Sequence, residues 1–132
     1  MRLAVLVSLC LLSIIAAPQK KNAQQKPPEI ELLDATVKRD GTDILLDGKV
    51  KNCGDKAIKD LVIFFHFYDA DMQPITTRKG GIEQETFTPG DVAEFHAQME
   101  QPPRATHYMI DFQDGGGKYL RPAVTPATNA IE

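Results

Sequence analysis

Residues that break regular structure punctuate this chain at intervals of roughly 8–12 residues, and that spacing decides its fold class. Asp40-Gly41, Asn52 to Asp55, Asp69 to Pro74, Pro89-Gly90, Pro102-Pro103 and Asp114 to Gly117 are all turn or breaker sequences. The segments between them are short, and none carries apolar residues at helical spacing. They read as strands. Ile44 to Lys51 alternates, with Ile44, Leu46, Gly48 and Val50 on one face and Asp47, Lys49 and Lys51 on the other. Val92 to Met99 puts Ala93, Phe95, Ala97 and Met99 on one parity, and Thr106 to Phe112 does the same with Tyr108, Ile110 and Phe112. Glu29 to Lys38 carries Ile30, Leu32 and Leu33, then shifts parity before Ala35 and Val37. Leu61 to Tyr68 is apolar on both parities, the mark of a central strand. Ile75 to Arg78 reads as a short edge strand interrupted by Gly80-Gly81, Thr86 to Thr88 leads into the type II turn pair Pro89-Gly90, and Lys118 to Arg121 closes the series. The prediction is all-β: an antiparallel sandwich of seven to eight strands.

The ends read differently. Met1-Arg2 is a short positive start, Leu3 to Ala17 is apolar, and Ala16-Ala17 supplies small residues before the polar Gln19-Lys20-Lys21. This is the layout of a signal peptide over residues 1–18. As a helix the apolar run spans about 22 Å, short of the ~30 Å hydrocarbon core, so it is expected to be cleaved rather than kept as an anchor. Membrane contact is therefore expected only through the signal sequence before cleavage, and the product is expected in the periplasm or outside the cell. Cys10 lies between Leu9 and Leu11, the wrong setting for a lipid-anchor cysteine. Its removal leaves Cys53 alone, with no internal disulfide to form, and a buried, inert thiol is expected there. Residues 19–28 read as a flexible linker, 29–121 as the domain, and 122–132 as a disordered tail.

Fifteen basic against eighteen acidic residues give a formal net charge of −3. A nucleic-acid binder would carry a basic excess, so no nucleic-acid partner is expected. Serine occurs only in the leader, at Ser8 and Ser13, which leaves no serine nucleophile. His66, His96 and His107 show no zinc-ligand spacing, and each lies opposite the apolar parity of its strand. Asp69-Ala70-Asp71-Met72-Gln73 opens like a calcium loop, but Pro74 and Gly80 stand where Gly and Glu are needed. No catalytic residue, metal or cofactor is expected. The alternative is a small metal-dependent or hydrolytic enzyme with residues scattered over loops.

The third strand poses the sharper question. With Leu61, Ile63, Phe65 and Phe67 in the core, Val62, Phe64, His66 and Tyr68 face outward. A solvent-facing antiparallel sheet should be polar. Met109 and His107 on a neighbouring strand join the same face. Two readings stand: a terminal segment covers this patch, or it is a docking face for a protein partner or a second copy. In the docking reading, paired imidazoles would weaken association in acid.

Phe65-His66-Phe67-Tyr68-Asp69 resembles the F-x-L-Y-D signature of the FxLYD family of small exported bacterial domains. Gly48-Lys49-Val50-Lys51-Asn52 with Gly54 is similar to that family's G-x-V-x-N-x-G strand and turn. Thr88-Pro89-Gly90-Asp91 followed by Phe95, and Tyr108-Met109-Ile110-Asp111-Phe112, match its later elements in order. The resemblance covers about residues 30–121, with Phe67 where Leu is usual and Gln73-Pro74 where Gly often stands. It implies an immunoglobulin-like sandwich and a non-catalytic interaction or assembly module. The signature positions Gly48, Asn52, Phe65, Phe67, Tyr68, Asp69, Pro89, Gly90, Phe95 and Tyr108 would then be structural.

Overall fold

A computed structural model describes residues 26–132. The expected signal peptide and most of the expected linker lie outside the described residues. The described chain is an antiparallel, immunoglobulin-like β-sandwich. Its strands are β1 (Ile30–Asp40), β2 (Asp43–Asn52), β3 (Ile58–Lys59), β4 (Val62–Tyr68), β5 (Pro74–Gly81), β6 (Thr86–Phe87), β7 (Val92–Glu100), β8 (His107–Gln113) and β9 (Asn129–Ala130). One sheet has the order β1-β2-β7, the other β5-β4-β8-β9, and β3 pairs with β6.

Period-two alternation places the core as expected. Ile44, Leu46 and Val50 of β2, Ile63, Phe65 and Phe67 of β4, Ala93 and Phe95 of β7, and Tyr108, Ile110 and Phe112 of β8 are all buried between the sheets. Gly48 belongs to that inner face because β7 needs the room. A Cβ there would lie 2.3 Å from the Phe95 ring and 2.6 Å from the Asp34 carbonyl oxygen. The parity shift in the first strand is a β-bulge between Leu32 and Asp34, whose extra residue lets Ile30 and Val37 both face inward. Pro89-Gly90 turns as anticipated: Gly90 has φ of +87° and Asp91 N–H donates to Thr88 O at 3.0 Å.

Asn52 is the one buried polar residue among the described residues. Its Nδ2 donates to Lys56 O at 2.9 Å and to Phe87 O at 2.8 Å, while its Oδ1 accepts from Gly54 N–H at 3.1 Å. This one side chain ties the turn after β2 to β6. Asp69 works in the same way locally: its Oδ1 accepts from Asp71 and Gln73 N–H, each at 2.9 Å, so the carboxylate is turned into its own loop. Cys53 is half-buried, and burial pushes its thiol above the ordinary value.

Three expectations need correction. The fifth strand is not interrupted by Gly80-Gly81 but runs through both, opposite Ile63 and Val62. Gly80 is accepted there because the Phe65 ring fills its side-chain space, 2.9 Å from where a Cβ would sit. Lys118 to Arg121 is not a strand; Tyr119 makes an isolated bridge to Gln113, and Leu120 N–H donates to Phe112 O. The tail, residues 122–132, is not disordered. It runs along the side of the sandwich where β1 and β8 leave open edges. Ala123 N–H donates to Ile30 O, β9 pairs with His107 and Tyr108, and Ile131 N–H donates to Thr106 O. Glu132 exchanges backbone hydrogen bonds with Val37 and Arg39, and Ile131 is buried in the core. The domain therefore extends past residue 121.

Glu29 fixes where that closing segment starts. Its carboxylate accepts from Arg121 N–H at 2.9 Å and lies 3.1 Å from the Arg121 guanidinium and 3.3 Å from the Lys118 ammonium. Burial alone would raise its pKa. The Arg121 hydrogen bond and the two cations outweigh burial and hold it below the ordinary carboxylate value. A lowered folded-state pKa adds stability that is present above the unfolded value and lost as pH falls through the folded one. Glu29→Gln is expected to melt below wild type at pH 7. The gap should narrow below about pH 4.5, where wild type loses the charge as well. Parallel melting curves at all pH values would show that this cluster contributes nothing.

Candidate functional site

The outer face of the β5-β4-β8 sheet carries every residue expected there. The ladder sets Phe64 opposite Lys79 on one side and Asp111 on the other, His66 between Thr77 and Met109, and Tyr68 opposite His107. Val62, Phe64, His66, Tyr68, His107 and Met109 are all half-buried, alternating with the buried core residues of β4 and β8. The large, strongly exposed apolar residues lie elsewhere: Leu32 and Leu33 at the β1 bulge, Met72, Val92, Tyr119 and Val124. Among the described residues, the terminal segment packs against the side of the sandwich rather than over this face.

The centre of the face is a fixed polar chain. His66 Nδ1 lies 2.9 Å from Thr77 Oγ1, and His66 Nε2 lies 2.9 Å from Asp111 Oδ2. Since a carboxylate only accepts, Nε2 carries the proton it donates to Asp111, and Nδ1 of the neutral ring accepts from the Thr77 hydroxyl. Both ring nitrogens are thus engaged within the sheet. His107 is a diagonal neighbour, and its Nδ1 is held by Thr106 Oγ1 at 2.7 Å. Phe64 stacks beside His66, with ring centroids 6.2 Å apart and planes 12° from parallel. The Lys79 ammonium sits 5.5 Å from the Phe64 ring centroid, in cation–π range.

Asp111 Oδ1 is the one buried side-chain polar atom left without a hydrogen-bond partner among the described residues. Such an atom costs on the order of 1–3 kcal/mol. The sequence reading did not include Thr77, Lys79 or Asp111 in the face. Their only signal is the strand register, which a single sequence does not show.

His96 belongs to the other sheet, where its Nδ1 meets Asp47 and its Nε2 lies 3.9 Å from Glu94. The hydrogen bond to Asp47 raises its pKa above the ordinary histidine value. The three histidines are not brought together, and no group of three or more metal-ligating side chains occurs among the described residues. A cavity of about 300 Å³ reaches Asp111 at the rim of the face and is lined also by Tyr119 and Arg121, while two others lie away from it. One of about 330 Å³ is lined by Glu29, Lys59, Asp60 and Asp114, and one of about 270 Å³ lies under the tail between Leu32 and Ile110.

These features define a class: a small immunoglobulin-like sandwich with an aromatic and hydrogen-bonded outer sheet face. No family model and no curated protein matches the chain. Its fold is similar to parts of larger enzymes of known structure. The β-glucuronidase of Bacteroides uniformis superposes with a TM-score of 0.52 at 13% identity, over 79% of this chain and 12% of that one. A calcium-binding mutant of Bacteroides uniformis β-glucuronidase 2 gives 0.50 at 15% identity, over 79% and 13%. A β-glucuronidase from glycoside hydrolase family 2 gives 0.51 at 8% identity, over 77% and 12%. The chain spans a small fraction of these enzymes, and at this identity the likeness shows the fold alone.

Proposed function

We propose that this chain is an exported, non-catalytic interaction or assembly module of the FxLYD kind, docking a protein through the outer face of β4 and its neighbours. The observation that carries the proposal is the row Val62, Phe64, His66 and Tyr68 with Met109 beside it. These side chains are half-exposed on a sheet face where polar residues belong. Thr77 and Asp111 hold the His66 ring in place, and stacking beside it orients Phe64. A face with fixed aromatics loses little side-chain entropy when it is covered.

Phe64→Glu tests this. The substitution puts a carboxylate at a half-exposed position, so the fold should survive with a stability change of about 1 kcal/mol or less. Crosslinking in the native exported fraction should trap wild type in a complex that Phe64→Glu fails to form. Equal trapping of both proteins would refute the docking face.

One observation favours a hydrolytic reading instead. Thr77, His66 and Asp111 follow the hydroxyl, imidazole, carboxylate order of nucleophilic hydrolases. The hydroxyl belongs to a strand-borne threonine on an open sheet face, away from the cavities described above. Turnover of an activated ester that Thr77→Val abolishes would establish that reading.

A further inference from the structure

We propose that the occupant of this face is a second copy of the chain, packed face to face about a two-fold axis running along β4. This deepens the docking reading above and rests on it. The row Lys79, Phe64, Asp111 runs across the sheet, with a cation at one end, an aromatic ring in the middle and a carboxylate at the other. Neighbouring strands are about 4.8 Å apart, so the two charges flank Phe64 at nearly equal offsets. A two-fold axis along β4 reverses the order across the strands and keeps the order along them. It sets Phe64 on Phe64 of the second copy, and Lys79 over Asp111 of the second copy, twice. The row is thus self-complementary in charge, which is what an isologous interface requires.

Asp111 is held by His66 through Oδ2, with Oδ1 buried and the side chain as a whole 21% exposed. The Lys79 ammonium of the second copy therefore acts on this carboxylate by charge across the interface. Lys79 itself is exposed, and its contact here is the Phe64 ring rather than a carboxylate. Sheets packed face to face sit about 10 Å apart, a gap that interdigitating Phe64, Met109 and Lys79 side chains can fill.

The test is sedimentation velocity of the purified protein over a range of concentrations. Wild type is expected to be dimeric. Lys79→Glu sets like charges together at both ends of the interface and should weaken dimerisation by at least about tenfold. Asp111→Lys should do the same. An equimolar mixture of the two variants restores both opposite-charge pairs in one heterodimer, so it should dimerise where neither variant does alone. Should Asp111→Lys fail to fold, zero-length carbodiimide coupling on wild type gives the same information. A dimer linked between Lys79 and Asp111 is expected, because β4 separates these residues within one chain. A wild type that stays monomeric overturns the second-copy proposal. It leaves the docking face standing if Phe64→Glu still loses a trapped partner. A dimer that Phe64→Glu and Lys79→Glu both leave intact forms through another surface and overturns the proposal, while the docking face is decided separately by the trapping of Phe64→Glu.

Discussion

Phe65→Ala is expected to lose about 3–5 kcal/mol of stability, the usual result of truncating a buried aromatic. Phe65 is fully buried at the middle of β4. Its ring lies 6.0 Å from that of Phe95 across the sandwich and fills the space above Gly80. Alanine would leave a cavity that these neighbours cannot close, because Gly80 has no side chain to move into it. A domain of this size is stable by only about 5–15 kcal/mol, so the variant should unfold at much lower urea than wild type. Lys49→Ala is the contrast. Lys49 is half-exposed and its ammonium lies 3.8 Å from Glu94, a surface pair of small worth. Its stability should stay within about 0.5 kcal/mol of wild type. Comparable losses at both positions would overturn the facing of β2 and β4.

What the sequence revealed is what local physics encodes. Alternation with period two is a local pattern, so the inward and outward faces of β2, β4, β7 and β8 were legible residue by residue. The β1 bulge was legible because Leu32-Leu33 breaks that period. The Pro89-Gly90 turn was legible because only glycine easily takes the positive φ required there. Features set by distant partners were not. Asn52 read as a turn residue, yet it is buried because one of its acceptors, Phe87 O, lies 35 positions away. The candidate site divides in the same way. Val62, Phe64, His66 and Tyr68 came from parity. Thr77, Lys79 and Asp111 join them only through cross-strand register, which no single strand specifies. The tail misled most, since its Pro, Thr and Ala content is that of a disordered segment. Its docking depends on edges that β1 and β8 leave unpaired, and Ile131 is its single buried anchor.

Removing residues 122–132 is therefore expected to destabilise the domain rather than trim a loose end. The segment buries Ile131, worth about 1.5–3 kcal/mol for a fully buried aliphatic side chain. It also satisfies backbone groups of Ile30, Val37, Arg39 and Thr106 at the sandwich edge. A net loss of about 2–4 kcal/mol is expected on truncation. Tyr108 gives an independent readout. Burial pushes its phenol above the ordinary tyrosine value, and the Glu132 charge adds to the shift. Truncation removes Glu132 outright and uncovers the β8 edge at Tyr108, where β9 had paired. The Tyr108 pKa should then fall toward that of a free phenol, read by near-UV titration against a Tyr108→Phe control. A truncated protein with wild-type stability and an unmoved Tyr108 titration would mean that the segment contributes nothing to closing the sandwich. In that case β1 and β8 would have to hold the core shut on that side with their edges unpaired, leaving the backbone groups of Ile30 and Val37 to water alone.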